Sequence, residues 1–108
     1  MKIINVIKSP KKNKRFQAMV KTDDYDVYNQ RIYKKIDFGD KLGNTFIDHH
    51  NEQKKINYWK RHYNNPRERP FLEHLIMSPA LLSGYLLWGE STDMRENIVI
   101  LNNILSEA

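Results

Sequence analysis

Apolar side chains recur in two rhythms along this chain, a short-period one before residue 40 and a helical one after residue 50. Ile3, Ile4, Val6 and Ile7 sit among Lys2, Asn5 and Lys8, and Phe16, Ala18, Met19 and Val20 lie between Arg15 and Lys21. Short runs rich in β-branched and aromatic residues predict strands over 2–8 and 15–21. Ser9-Pro10-Lys11-Lys12-Asn13-Lys14 between them has the chemistry of a turn, so the pair forms a hairpin with a basic tip. From Arg31 to Phe38, Ile32, Lys34, Ile36 and Phe38 alternate with Tyr33, Lys35 and Asp37, which predicts a third strand ended by Gly39. One side of this strand is the more apolar, as in a small antiparallel sheet covered on one face. Thr22 to Tyr28, with Asp23, Asp24 and Asp26, reads as an acidic connection, and it lacks the glycine and terminal glutamate of a calcium-binding loop.

The period changes at Asn51. At about 100° per residue, Ile56, Trp59 and Tyr63 fall on one stripe and Asn51, Lys55, Tyr58 and His62 on its neighbour. Asp48 or Asn51 caps the start, and Pro66 limits continuation past Asn65. Phe71 to Met77 makes a short apolar turn or helix. Ser78-Pro79 has the form of an N-cap followed by proline, opening a helix over Ala80 to Trp88 that Gly89 stops. A last helix runs from Thr92 or Asp93 to about Leu105, on the spacing of Met94, Ile98, Leu101 and Leu105. Strands first and helices second imply an α+β fold. Residues 1–108 read as a single domain, with a β-meander over 1–40 and a helical part over 48–106.

Composition narrows the function. The chain has no cysteine, which excludes disulfides, thiol nucleophiles and cysteine-ligated zinc. The start lacks the apolar core and cleavage site of a signal peptide, and Ala80 to Trp88 is about half a membrane span, so the expectation is a protein that is neither secreted nor membrane-embedded. The net charge of +5 is unevenly placed: residues 1–69 carry a balance of +9 and residues 70–108 one of −4. A basic half suits an anionic partner, although basic faces are also common solvated surfaces.

Two basic clusters suit phosphate: Lys8, Lys11, Lys12, Lys14 and Arg15 on the hairpin, and Lys54, Lys55, Lys60 and Arg61 on the helix. The helical cluster is interleaved with Tyr58, Trp59 and Tyr63, rings that stack on unpaired bases or, more often, pack a core. The hairpin tip is the cleaner candidate, because no acidic residue stands between 8 and 15. His49 and His50 are adjacent, and His62 and His74 follow His50 at successive intervals of twelve. That spacing gathers no metal-ligand set, so no metal or other cofactor is expected. His49-His50-Asn51 superficially matches the histidine and asparagine of one-metal nucleases, without the spacing that such a site demands. No phosphate-binding glycine loop, GxSxG or HExxH is present, and no catalytic residue is assigned. Tyr85 and Trp88 are read as packing the last helices onto the sheet.

Three stretches carry a family resemblance: Asp37-Phe38-Gly39, then His50 with Lys55, Tyr58 and Arg61-His62, then Leu82-Ser83 with Tyr85-Leu86-Leu87-Trp88. Over about residues 30–90 the arrangement resembles a family of short proteins of unknown function from nucleocytoplasmic large DNA viruses, including chlorella viruses and mimivirus relatives. It departs from that pattern in the loop before His50 and in the connector from Asn64 to Pro70. The resemblance implies a viral origin and a small accessory or virion-associated protein, in the particle or in the cytoplasm or nucleus of the infected cell.

Together these readings imply a non-enzymatic structural or interaction protein. Its basic half would contact nucleic acid or an acidic protein partner such as a viral structural protein, through Lys11, Lys12, Lys14, Arg15, Lys54 and Arg61. The C-terminal part would supply core and an interface for self-association or a capsid protein. A dedicated DNA- or RNA-binding protein and, further off, a histidine-dependent metal nuclease are the alternatives. The twin histidines are expected to begin a structural helix, with His50, Tyr58 and His62 in buried polar contacts.

Overall fold

The computed structural model describes residues 1–107. β1 (Lys2–Lys8), β2 (Lys14–Tyr25) and β3 (Arg31–Asp40) form one antiparallel sheet in the order β1-β2-β3. The helices follow: α1 (Phe46–His49), α2 (Glu52–Tyr63), α3 (Arg69–Glu73), α4 (Pro79–Leu82), which passes directly into a π-helical turn over Ser83–Leu87, and α5 (Met94–Glu107). The fold is α+β, a small N-terminal meander followed by helices.

Helices cover one face of the sheet. Ile3, Ala18, Val20 and Phe38 are buried from the strands, and Leu82, Leu86, Leu87 and Leu101 meet them from α4, the π turn and α5. Each of these side chains larger than alanine contributes about 1.5–3 kcal/mol by leaving water. β1 places four apolar residues where strict alternation would send half of them outward. A register slip between Ile3 and Asn5 decides which half, turning Ile3 and Val6 onto the core and leaving Ile4 and Ile7 exposed. Asn102 of α5 then closes this edge of the sheet: its side chain accepts from the Ile3 N–H at 2.8 Å and donates to the Ile3 carbonyl at 3.0 Å.

Two strand boundaries lie beyond their expected positions. The acidic connection shrinks to Asp26–Gln30, because β2 continues through Tyr25 and pairs Tyr25 with Arg31. Thr22 is buried and its hydroxyl donates to the Ile32 carbonyl at 2.7 Å, while the Arg31 guanidinium lies 4.7 Å from the Tyr25 ring centre. Gly39 does not end β3, which runs one residue further to Asp40. It sits at φ +80°, and a Cβ there would stand 3.0 Å from Leu87 Cδ1, so glycine permits both the backbone turn and the approach of the π turn.

The helix readings also meet corrections. The Asn51 side chain caps α2 by accepting from the Lys54 N–H at 3.0 Å, and Ser78 caps α4 ahead of Pro79, both as expected. α1 is an additional turn: Thr45 precedes it, and Asp48 Oδ2 accepts from the Thr45 N–H and Oγ1, each at 2.8 Å. The adjacent histidines therefore do not open one continuous helix. His49 ends α1 with its ring 5.2 Å from that of Trp88, and His50 turns out to solvent at φ 57°, so His50 makes no buried contact. The rotation of α2 differs as well. Lys55, Tyr58, Trp59 and His62 turn inward, whereas Ile56 and Tyr63 stay exposed.

Candidate functional site

Strand order decides where the cations gather. In an antiparallel meander the β1–β2 turn and the C-terminal end of β3 lie at the same end of the sheet, which brings Lys12 and Lys14 beside the loop after Asp40. The Lys41 N–H reaches the Asn13 carbonyl at 3.5 Å. Lys12, Lys14, Lys41 and Leu42 line an open cleft of about 730 Å³. A neighbouring cleft of about 650 Å³ shares Lys14, Gly39 and Asp40 with it and runs on to Tyr58, Arg61, His62 and Trp88. Lys8 lines a smaller depression of about 290 Å³ with Arg15 and Lys41. Among the described residues, none of Lys8, Lys12, Lys14, Lys41 and Arg61 has a carboxylate within 4 Å. Asp40 is the unpaired acidic neighbour on this surface, and its Oδ1 accepts from the Leu42 N–H at 3.0 Å.

The six residues picked from sequence divide into two groups. Lys12, Lys14 and Arg61 converge on the adjoining clefts. Lys11, Arg15 and Lys54 do not line them. Lys11 Nζ lies 3.3 Å from Asp37 Oδ2, and Asp37 also accepts from Ser9 Oγ at 2.5 Å and Gln17 Nε2 at 3.2 Å. The Ser9 hydrogen bond, with Lys11 and Gln17, holds the Asp37 carboxyl below the usual carboxylate range and pins the hairpin tip to β3. Arg15 makes a bidentate pair with Asp48, both contacts at 2.6 Å, and its guanidinium lies 5.0 Å from the Phe16 ring centre. That fork joins β2 to α1 and so fixes the loop carrying Lys41. Lys54 is exposed on α2, two turns before Arg61 on the same side of the helix and about 10 Å along its axis. Lys41 escaped the sequence reading, although the strand order that places it there was already implied by the three predicted strands.

Behind the cations stands a stack of rings. Tyr58 lies parallel to Trp88, with centres 4.5 Å apart, and His62 packs on its other face at 4.0 Å. Both faces of Tyr58 are therefore covered, and this aromatic series builds the wall of the cleft and offers no free platform for a base. Burial, with the nearby Glu68 carboxylate, pushes the Tyr58 hydroxyl up to about 12. His62 Nδ1 is 2.5 Å from Glu68 Oε2. Trp59 serves the interior: its Nε1 donates to the Trp88 carbonyl at 2.7 Å and its ring packs edge-on to Tyr85. Among the described residues, no group of three or more His, Asp and Glu side chains is placed to hold a metal ion, and no helix is long and apolar enough to cross a membrane.

Several residues that carry the family resemblance, Gly39, Tyr58, Arg61, His62, Ser83, Leu87 and Trp88, meet in the second cleft. No curated protein and no solved structure matches the chain. A family model matches residues 4–62, more than half of the chain, from within β1 to the penultimate residue of α2. It takes in the hairpin tip, the Lys41 loop and Arg61. The chain belongs to the family of unknown function DUF5754.

Proposed function

We propose that this is a non-enzymatic interaction protein whose basic end docks on a polyanion, either nucleic acid or an acidic protein surface. The observation that carries the reading is the convergence of Lys8, Lys12, Lys14, Lys41 and Arg61 at one end of the sheet with no carboxylate within 4 Å of any of them among the described residues. Cations gathered in excess over the one unpaired carboxylate among them, Asp40, repel one another, and a phosphate backbone or a carboxylate-rich surface relieves that repulsion while releasing counterions. The supports are rigid: Lys11 with Asp37 and Arg15 with Asp48 order the loops that present the free cations. The resemblance to proteins of large DNA viruses supports a role as a structural or accessory component of a virion or an infected cell.

Fluorescence anisotropy on a short labelled DNA duplex tests the reading with two charge-matched triple variants. Lys12→Gln/Lys14→Gln/Lys41→Gln removes three cations from the basic end, and Lys21→Gln/Lys34→Gln/Lys35→Gln removes three from the strands. At about 1 kcal/mol per phosphate contact in water, the first set weakens binding by about a hundredfold and the second by less than about threefold. Equal losses from both sets would reduce the effect to net charge and refute a localised surface.

A further inference from the structure

The opposite end of the sheet carries complementary features. The β2–β3 turn lies there, in a molecule whose longest dimension is 48 Å. From Thr22 to Gln30 the chain has Asp23, Asp24 and Asp26 and no Lys or Arg, and of the flanking cations Arg31 is turned onto the Thr22 carbonyl and the Tyr25 hydroxyl. Asp23 meets the α-amino group of Met1 at 3.0 Å, whereas Asp24 and Asp26 have no cation within 4 Å among the described residues. At the tip Val27 is 93% and Tyr28 82% exposed. The turn that displays them is firmly built: Asp26 Oδ1 accepts from the N–H groups of Tyr28 and Gln30, each at 2.9 Å, and Asn29 takes φ 61°. Apolar side chains on an ordered turn lose little conformational entropy on docking. The basic end offers the counterpart, with Leu42, 94% exposed, beside Lys12, Lys14 and Lys41 on the cleft of about 730 Å³.

We infer that the partner of this cleft is a second copy of the chain, bound head to tail. Val27 and Tyr28 of one copy pack against Leu42 of the next, and Asp24 and Asp26 face Lys12, Lys14 and Lys41. The inference rests on the reading of the basic end as an anion-docking surface and names its partner. The contact joins two different patches, so it does not close after two subunits and generates chains or rings, as a structural protein requires. Its electrostatic part is exposed and weakens in salt.

Sedimentation velocity of the full chain tests it. In low salt (about 50 mM) the protein associates with rising concentration, and in high salt (about 500 mM) the association weakens at least tenfold. Val27→Ser/Tyr28→Ser destroys the tip and Lys12→Glu/Lys41→Glu destroys the cleft, and each variant alone is monomeric. An equal mixture of the two forms a dimer that grows no further, because only one productive pair of ends remains. Formation of that dimer requires both variants to be folded. Monomeric wild-type protein at about 100 μM in low salt, an oligomer indifferent to both double variants, or a mixture that stays monomeric while both variants keep the wild-type circular dichroism spectrum would each overturn the head-to-tail contact. Duplex DNA separates the two failures. Wild-type protein that binds DNA without self-associating retains the basic-end reading and loses the second copy, and protein that binds neither loses both.

Discussion

Asp48 accepts four hydrogen bonds, two from the Arg15 guanidinium and two from Thr45, and so ties β2 to the turn that follows the basic end. Chiefly through Arg15, its carboxyl is held well below the usual carboxylate range. A carboxyl with a depressed folded-state pKa adds stability that is fully present above its unfolded value near 4, and that is lost as pH falls through the folded value. Asp48→Asn is therefore expected to cost about 1–2 kcal/mol at pH 7 after allowance for the partial exposure of the pair. The difference from wild type should shrink progressively below about pH 4, as urea unfolding at pH 7 and about pH 2 would reveal. An unchanged difference at both values would remove the charge from the explanation. The sequence marked Arg15 as a cation and Asp48 as a cap, but 33 residues separate them and nothing local announces their pairing. A free lysine and a salt-bridged arginine look alike until the fold supplies the carboxylate.

Elements defined by local chemistry were legible: the Asn51 cap of α2, Ser78-Pro79 at α4, and the spacing that makes α5. Which way α2 faces was not. Its most apolar stripe runs through Ile56, Trp59 and Tyr63, yet the inward face is Lys55, Tyr58, Trp59 and His62, because the body opposite offers Trp88, Tyr85 and Gly84. Aromatic stacking and one indole hydrogen bond orient this helix more than aliphatic burial does. Gly84 lies under Trp59 of α2, and a Cβ there would lie 3.0 Å from Trp59 Cη2 and 3.3 Å from Leu72 Cδ2. Alanine normally favours a helix over glycine by about 1 kcal/mol. Here Gly84→Ala is expected to destabilise the protein by about 1–3 kcal/mol through overpacking. A thermal melt reads the sign directly, and a raised midpoint would mean that Trp59 moves aside at little cost.

Across the whole molecule, the charge asymmetry read from sequence was that of the N-terminal and C-terminal parts, +9 against −4. The fold makes a finer division within the sheet, because strand reversal sends Lys8 to Arg15 and Lys41 to one end and Asp23 to Asp26 to the other, where Lys2, Lys21 and Arg31 flank the acidic turn. Counting charges along the chain does not find this, and pairing the strands does. The most direct test of the basic end is the salt dependence of wild-type binding to duplex DNA. If the five unpaired cations Lys8, Lys12, Lys14, Lys41 and Arg61 each meet a phosphate, the observed constant falls with salt at a log-log slope of about −4.5. A slope near zero, or no binding at low salt, would contradict a phosphate-binding surface at this end of the sheet.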